Sequence, residues 1–492
     1  MKIILLNDLL RAAGLPASLH NPEISSIAYD SRTTCPGSIF VAIPGLRASG
    51  LDYTTQAIEK GAVAIVSESA LPDIEIPQIV VTNARMALAD LAGAFFENPA
   101  NSLKCVGITG TNGKTTTAFL VKHILDTNSL HCGLIGTVKY VIGQTEIPAP
   151  RTTPEASDLQ ALLGQMRDGY CRAVAMEVSS HALAQHRTRG IAFDAAVFTN
   201  LTQDHLDYHG SMDAYFEAKA LLFEGLAEQR EKKGRAIVNC DDRYGHRLME
   251  RYAKRTKLVT FGQGANADFR ASDIRFDAKG GTFQLEARNK NFLVRMPLIG
   301  LFNVYNALGA LAAATACGLE LRHCVAALAD APQVPGRLER VPSRRNFQTF
   351  VDYAHTEDAL RNVLSTLRQL RPTRLITVFG CGGDRDRAKR PLMAAAAAQG
   401  SDLVVLTSDN PRREDPEQIL RDTEVGLKGC IYDVIADRAK AICHAIEIAG
   451  PGDIVLLAGK GHETTQEINS EKYPFNDVLI ATRAIAEKKG EA

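Results

Sequence analysis

The chain has 492 residues, 45% of them apolar, enough for about three domains with cores of their own. Its 56 basic and 56 acidic side chains cancel, which argues against a broad nucleic-acid or anionic-membrane surface. Ten cysteines are scattered without a C-x-x-C pair and read as reduced thiols of a cytoplasmic protein. No apolar window approaches the roughly 18 residues of a membrane helix, and the run that opens the chain is too short for a secretory signal.

Residues 1–98 form a first block. The runs 27–32 and 38–43 read as short strands around a polar turn, 53–61 as a helix and 62–67 as a strand. Asn98-Pro99 punctuates a boundary. The second block, 99–336, opens on an apolar strand ending at Ile108. Gly110-Thr111-Asn112-Gly113-Lys114-Thr115-Thr116 follows, then a helical run over 118–125. A strand–glycine loop–helix unit turns backbone N–H groups and a helix dipole toward an anion. Lys114 would reach the terminal phosphates of a nucleotide, and the Thr115 hydroxyl would ligate Mg²⁺. Two residues rather than four separate Gly110 from Gly113, a short-spaced phosphate loop.

Downstream, the buried-strand run 173–176 ends in Glu177. A carboxylate at a strand's C-terminal end lies where α/β domains bind ligands, so Glu177 is a candidate Mg²⁺ ligand. A second strand, 196–198, runs into a polar cluster holding His205 and His209. Their spacing of four invites a zinc reading. No Glu follows the first His and no cysteine pair is at hand, so oxygen-rich Mg²⁺ coordination is preferred. Lys219 sits in the apolar helical stretch 214–223 and reads, on pattern alone, as a snorkelling lysine. Alternation over 257–297 suggests a small antiparallel section. Asn303 and Asn306 open an Ala-rich helix, either as caps or as ligand contacts. Pro332, Pro335 and Gly336 mark a hinge.

The last block, 337–492, carries buried-strand signals at 375–379, 403–407 and 454–458, alternating with helices. That is a βαβ pattern and a mostly parallel sheet. Gly380-Cys381-Gly382-Gly383 lacks the third glycine of a dinucleotide loop. Each strand ends in a polar motif: 384–391 with Arg390, then Asp409-Asn410-Pro411-Arg412, then Gly459-Lys460-Gly461-His462-Glu463. The three should meet in one crevice suited to an amino acid. Arg390 and Arg412 would fork onto carboxylates and Glu463 would hold an ammonium, while Arg385 and Arg387 read as solvated.

The short-spaced loop resembles that of the Mur ligases and their folylpolyglutamate synthase relatives, ATP-dependent enzymes that make an amide from a carboxylate and an amine. Asp-Asn-Pro-Arg resembles the motif of the diaminopimelate-adding branch. The resemblance covers all three blocks. It implies an α/β, three-domain Mur ligase architecture: a UDP-substrate-binding domain over 1–98, a central ATP-binding P-loop domain over 99–336, and a Rossmann-like amino-acid-binding domain over 337–492. It further implies that ATP meets Gly110, Thr111, Asn112, Gly113, Lys114, Thr115, Thr116, Asn303, Asn306, Arg337, Asp352 and His355. The UDP substrate would meet Tyr29, Ser31, Leu46, Arg47, Ala48, Thr152, Thr153, Ser179, Gln185 and Arg187. Diaminopimelate would meet Arg390, Asp409, Asn410, Pro411, Arg412, Gly459 and Glu463. Lys114, Glu177, His205 and Lys219 would be catalytic. Two Mg²⁺ ions would be held by Thr115, Glu177, His205 and Lys219, the last as a CO₂-derived carbamate. Arg151 stands where the family carries Asn, and Leu46-Arg47-Ala48 where some members carry His-Gln-Ala.

The activity implied by this resemblance is addition of meso-2,6-diaminopimelate to UDP-N-acetylmuramoyl-L-alanyl-D-glutamate through an acyl phosphate, in cytoplasmic peptidoglycan precursor synthesis. A monomer acting on small molecules is expected, with no nucleic acid and no membrane insertion. The alternatives are a lysine-adding member, a folylpolyglutamate synthase-like ligase, and a P-loop regulator without ligase activity. A folate enzyme would have no use for the Asp30-Ser31-Arg32 block.

Overall fold

The computed structural model describes residues 2–45, 48–72, 74–277 and 279–488. The chain divides into two compact units. One comprises residues 1–270, 286–290 and 305–327, the other 271–285, 291–304 and 328–492.

In the first unit, the N-terminal residues build a parallel four-stranded sheet ordered Ser26–Ala28, Ser38–Val41, Ala62–Ser67, Gln78–Val80. Ser38–Val41 is buried at every position, as a strand covered on both faces must be. Helix Ala84–Phe95, capped by the Asn83 side chain, packs Leu88, Leu91 and Phe95 with Leu9 and Leu10 into the core of this region.

The phosphate-loop strand, Lys104–Thr109, lies at the centre of the larger sheet. Ala173–Glu177 and Ala195–Phe198 pair with it, parallel, on either side. Register sets Glu177 against Ile108 and Phe198 against Thr109. Three strands therefore end together at one edge, where the chain reverses its direction of travel across the sheet, the usual place for a ligand crevice. Cys132–Ile135 continues the parallel sheet on one side, Arg235–Asn239 and Lys257–Gly262 on the other. The stretch 257–297, expected to be a small antiparallel section, instead opens in parallel: Lys257–Gly262, with Thr260, Phe261 and Gly262 buried, pairs in parallel with the strands on both sides of it. Phe269–Asp277, Gly280–Ala287 and Lys290–Met296 then neighbour one another in that order.

The second unit has a parallel sheet ordered Gln348–Asp352, Ile454–Ala458, Leu375–Phe379, Leu403–Leu406, Ile431–Val434. Glu339–Val341 runs antiparallel at one edge. The three strands read from sequence are adjacent, so their C-terminal ends lie side by side. Leu360, Leu364 and Leu367 cover one face, and Ile442, Ile446 and Ala481 the other. All ten cysteines are free, six of them buried. Among the described residues no helix is long and apolar enough to cross a membrane.

Candidate active site

The phosphate loop enters helix Lys114–Thr127 through Gly113 at φ +86°, with no side-chain cap on the helix N-terminus. A Cβ on Gly113 would lie 2.3 Å from the Asn306 Oδ1, so only glycine lets Asn306 stand directly on the loop. Thr116 is buried one turn in, and Thr117 Oγ1 donates to the same Asn306 oxygen at 3.3 Å. The loop is tied to the next strand end. Thr199 Oγ1 donates to the Asn112 carbonyl at 2.6 Å, Asn112 N donates to Asn200 Oδ1 at 2.9 Å, and Thr111 N donates to the Asn200 carbonyl at 2.9 Å. Thr199 and Asn200 were not expected as site residues. Their one signal is a dense polar run after a buried strand.

Two lysines share one acceptor. Lys114 Nζ donates to the carbonyls of Gly110 at 2.9 Å and Thr111 at 2.8 Å, and Lys219 Nζ donates to Gly110 at 2.8 Å. Lys219 is 1% exposed, its Nζ 4.5 Å from the centre of the Tyr215 ring. The snorkelling expectation is therefore overturned. Helix Met212–Glu228 carries Phe216, Ala220 and Phe223 into the core, and the lysine head ends under the loop rather than in water. Burial, reinforced by the charge of Lys114, drives the Lys219 ammonium well below its ordinary pKa.

Glu177 is 1% exposed. Its carboxylate accepts from Thr115 Oγ1 at 3.0 Å, from Thr137 Oγ1 at 3.0 Å and from Thr137 N at 2.8 Å. Among the described residues no basic side chain pairs with it. His205, at φ +52°, has its ring 4.8 Å from that of His181 and 6.1 Å from that of Tyr215, with Nε2 3.5 Å from Asp204. His209 Nε2 lies 2.9 Å from Ser180 Oγ. Burial lowers all three histidines, His181 to about 4, and so favours the neutral imidazole that ligates cations. Among the described residues no group of three or more His, Cys, Asp or Glu is placed to hold a metal alone. The hydroxyl and the uncompensated carboxylate fit a hard cation that draws further oxygens from a nucleotide, as Mg²⁺ does.

Beside Glu177 the expected substrate residues meet. Thr153 Oγ1 donates to the Glu177 carbonyl at 2.8 Å and accepts from Ser179 N at 3.1 Å, while Thr152 Oγ1 lies 3.0 Å from Thr137 Oγ1. Arg187 donates to the Thr153 carbonyl at 2.9 Å and to Gln185 Oε1 at 2.7 Å. Glu155, 3% exposed, gathers three guanidinium groups: Arg85 at 3.3 Å, Arg187 at 2.9 Å, and Arg151, the residue standing where the family carries Asn. Sequence reasoning missed this cluster because its members come from separate segments. Tyr29 OH donates to Asp158 Oδ2 at 2.6 Å, and Ser31 Oγ is turned inward to Gln56 Oε1 at 2.6 Å. Ala48 is exposed; Leu46 and Arg47 lie outside the described residues.

In the second unit, Asp352 is buried and accepts from Leu338 N at 2.6 Å and Ala354 N at 2.8 Å. Burial pushes its carboxyl up to about 6, against the pull of Arg337. The Arg337 guanidinium lies 4.8 Å from the Tyr353 ring centre, and exposed His355 meets the Tyr353 carbonyl at 2.8 Å. Asn303 Nδ2 donates to the Ile299 carbonyl at 2.8 Å, reaching back from the first turn of Leu301–Ala316 to the segment that leads into it.

The loop Asp409-Asn410-Pro411-Arg412 packs against Gly383, whose N–H donates to the Asn410 carbonyl at 2.9 Å and whose carbonyl accepts from Arg412 Nη1 at 2.7 Å. Arg412 Nε lies 3.3 Å from Glu467. A Cβ on Gly459, at φ +111°, would lie 2.7 Å from Asp409 Oδ2. Glu463 Oε2 accepts from Asn410 Nδ2 and Lys460 Nζ, each at 2.8 Å. Burial pushes this carboxyl upward, but Lys460 and Asn410 outweigh it and hold it below the usual range. Arg390 differs from expectation. It is 1% exposed and donates to Asp422 at 2.7 Å and Glu414 at 2.9 Å, so its fork is engaged by internal acids instead of standing open in the crevice.

Family models match in three places: "Mur ligase family, catalytic domain" over 23–96, "Mur ligase middle domain" over 108–314, and "Mur ligase, glutamate ligase domain" over 336–461. The chain is similar to the UDP-N-acetylmuramoyl-L-alanyl-D-glutamate–2,6-diaminopimelate ligase of Geobacillus thermodenitrificans, 46% identical over 95% of this chain and 96% of the relative. It is likewise 46% identical to that of Solibacter usitatus, over 98% of each. A solved structure of a ligase of the same name aligns with a TM-score of 0.72 at 34% identity, covering 98% of this chain and 99% of the other. With relatives this similar along nearly its whole length, the chain belongs to the Mur ligase family.

Proposed function

We propose that the chain is an ATP-dependent ligase joining meso-2,6-diaminopimelate to the D-glutamate of UDP-N-acetylmuramoyl-L-alanyl-D-glutamate, in cytoplasmic peptidoglycan precursor synthesis. The observation that carries this reading is the Asp409–Arg412 loop, where an arginine, an amide and a partly exposed carboxylate stand together at adjacent strand ends. Such a set suits an amino acid bearing carboxylates and ammonium groups. The names borne by the near-full-length relatives support the same substrates. Residues 1–98, 99–336 and 337–492 serve in this reading as UDP-substrate, ATP and amino-acid domains, and the spans of the family models support that division.

The substrate's D-glutamyl carboxylate attacks the γ-phosphate of ATP, giving an acyl phosphate and ADP. The diaminopimelate amine then adds to the acyl carbon, and phosphate leaves as the amide forms. Lys114 sits at the helix N-terminus where phosphate charge develops, so the chain contributes positioning and electrostatics rather than a nucleophile. Thr115 and Glu177, with His205, would hold Mg²⁺, which neutralises phosphate charge when bound. Lys219 completes that set as a carbamate. Its depressed pKa favours the free amine, whose lone pair adds to CO₂ with loss of a proton, turning a cation into an anion. Arg187, Gln185, Ser179, Thr152 and Thr153 orient the UDP substrate in this reading.

The test is phosphate release with ATP, Mg²⁺ and UDP-N-acetylmuramoyl-L-alanyl-D-glutamate, adding diaminopimelate or lysine in parallel. Release that depends on diaminopimelate supports the proposal. Release with lysine keeps the ligase and overturns the amino-acid assignment. Release with neither removes the ligase reading.

A further inference from the structure

Lys460 is 0% exposed, yet lies between two glycines at the end of strand Ile454–Ala458. Its Nζ donates to Asn410 Oδ1 at 3.0 Å and to Glu463 Oε2 at 2.8 Å. Asn410 Nδ2 donates to the same Glu463 oxygen at 2.8 Å, closing a triangle of three side chains. An ammonium has only donors, so Lys460 forces Asn410 to turn its carbonyl inward and its NH₂ toward Glu463. The Glu467 N–H, 3.0 Å from Asn410 Oδ1, demands the same orientation. Both internal donors fall on Glu463 Oε2. Oε1 makes no hydrogen bond among the described residues, on a side chain 29% exposed.

We infer that Lys460 is the positioning residue of the amino-acid crevice: it fixes the Asn410 amide and anchors one oxygen of Glu463, so that the other is presented to the ammonium of the incoming amino acid. The inference rests on the crevice reading of the proposed function and adds a residue that does not touch substrate. The charged surroundings sharpen it. Half-buried Asp409 and the fully buried Arg438–Asp477 pair, 2.6 Å apart, lie close by, with His462, Tyr353 and Arg337 around Glu463 and Lys460. Lys460 is the one cation in direct hydrogen-bond contact with the Glu463 carboxylate among the described residues.

Lys460→Met keeps the apolar stem and removes the charge. The KM for diaminopimelate should rise about thirtyfold or more, as for loss of one member of a buried charged pair, with the KM values for ATP and the UDP substrate within about twofold. A second readout separates positioning from mere support. Without Lys460, the largest influence opposing burial on Glu463 is gone, leaving the Asn410 hydrogen bond and His462 against it, and its pKa rises. The KM for diaminopimelate in the variant should then fall with rising pH more steeply than in the parent enzyme. A parent-like KM and pH profile would overturn the inference. Should Lys460→Met lack a cooperative melt, Lys460→Gln decides by the same two readouts. If neither variant folds, the lysine is a folding element and the inference falls. A parent enzyme that does not use diaminopimelate at all would instead bring down the proposed function.

Discussion

Two lysines in this molecule are buried to almost the same degree and live in opposite surroundings. Lys219 is 1% exposed and has a carbonyl, a tyrosine face and a second lysine about it. Lys460 is 0% exposed and has a carboxylate and an amide oxygen. Burial alone therefore does not decide what a lysine is for. Where burial and a neighbouring cation outweigh an acid that does not pair directly, as burial and Lys114 outweigh Asp204 at Lys219, the charged form is disfavoured, and the amine becomes available for chemistry. With an acid the ammonium becomes a fixed donor that orders its neighbours. In the proposed reading the first is a reactive group under a phosphate loop, the second a brace under an amino-acid crevice.

That contrast breaks most sharply at Lys219. Lys219→Met should lower turnover by about a thousandfold, the scale of removing one electrostatic element from a charged transition state, while the variant still folds. Parent activity in buffer stripped of CO₂ should fall and return with bicarbonate; that of the variant should not respond. Turnover of the variant within about tenfold of the parent would mean that Lys219 serves packing only.

The crevice supplies the next effect. Arg412 donates to the Gly383 carbonyl and faces Glu467, so its guanidinium is held in place before any ligand arrives. Arg412→Ala should raise the KM for diaminopimelate by roughly thirtyfold to a thousandfold if, as proposed, its guanidinium pairs the distal carboxylate of that substrate. The KM for ATP should stay within about twofold. An unchanged diaminopimelate KM would assign that carboxylate elsewhere.

What the sequence reveals and what it hides follow the same line. The phosphate loop is legible because strand, glycines, lysine and helix are contiguous, and the structure keeps them so. The strand-end motifs of the second unit are legible because three buried apolar runs announce adjacent parallel strands. Three strands of that sheet escaped, Glu339–Val341, Gln348–Asp352 and Ile431–Val434; the last is an edge strand with Ile431 70% exposed and so lacks the buried apolar signal. Long-range partners stay hidden. Lys219 meets a carbonyl 109 residues away, and Lys460 an amide 50 residues away, so neither role can be read from local periodicity. Arg390 shows the reverse case. Its strand-end position suggests an open fork, but Glu414 and Asp422, arriving from the following segment, engage it.

The smallest expected effect is on stability, and it runs opposite to activity. The Lys219 ammonium has a folded-state pKa well below its ordinary value of 10.5. Between the two values the unfolded chain binds more protons than the folded one, so stability rises with pH across that window. Below it the full penalty of the buried charge remains. Lys219→Met removes the group from both states, and replacing a buried charge by a well-packed apolar side chain stabilises by about 1–3 kcal/mol. In CO₂-free buffer the variant should therefore unfold at higher urea than the parent, with a gain largest at the acid end and shrinking as pH climbs toward 10.5. A gain that stays constant with pH would point to better packing instead of a relieved charge. Because a carbamate would exchange the penalised cation for an anion able to bind Mg²⁺, adding bicarbonate and Mg²⁺ should stabilise the parent and leave the variant where it was.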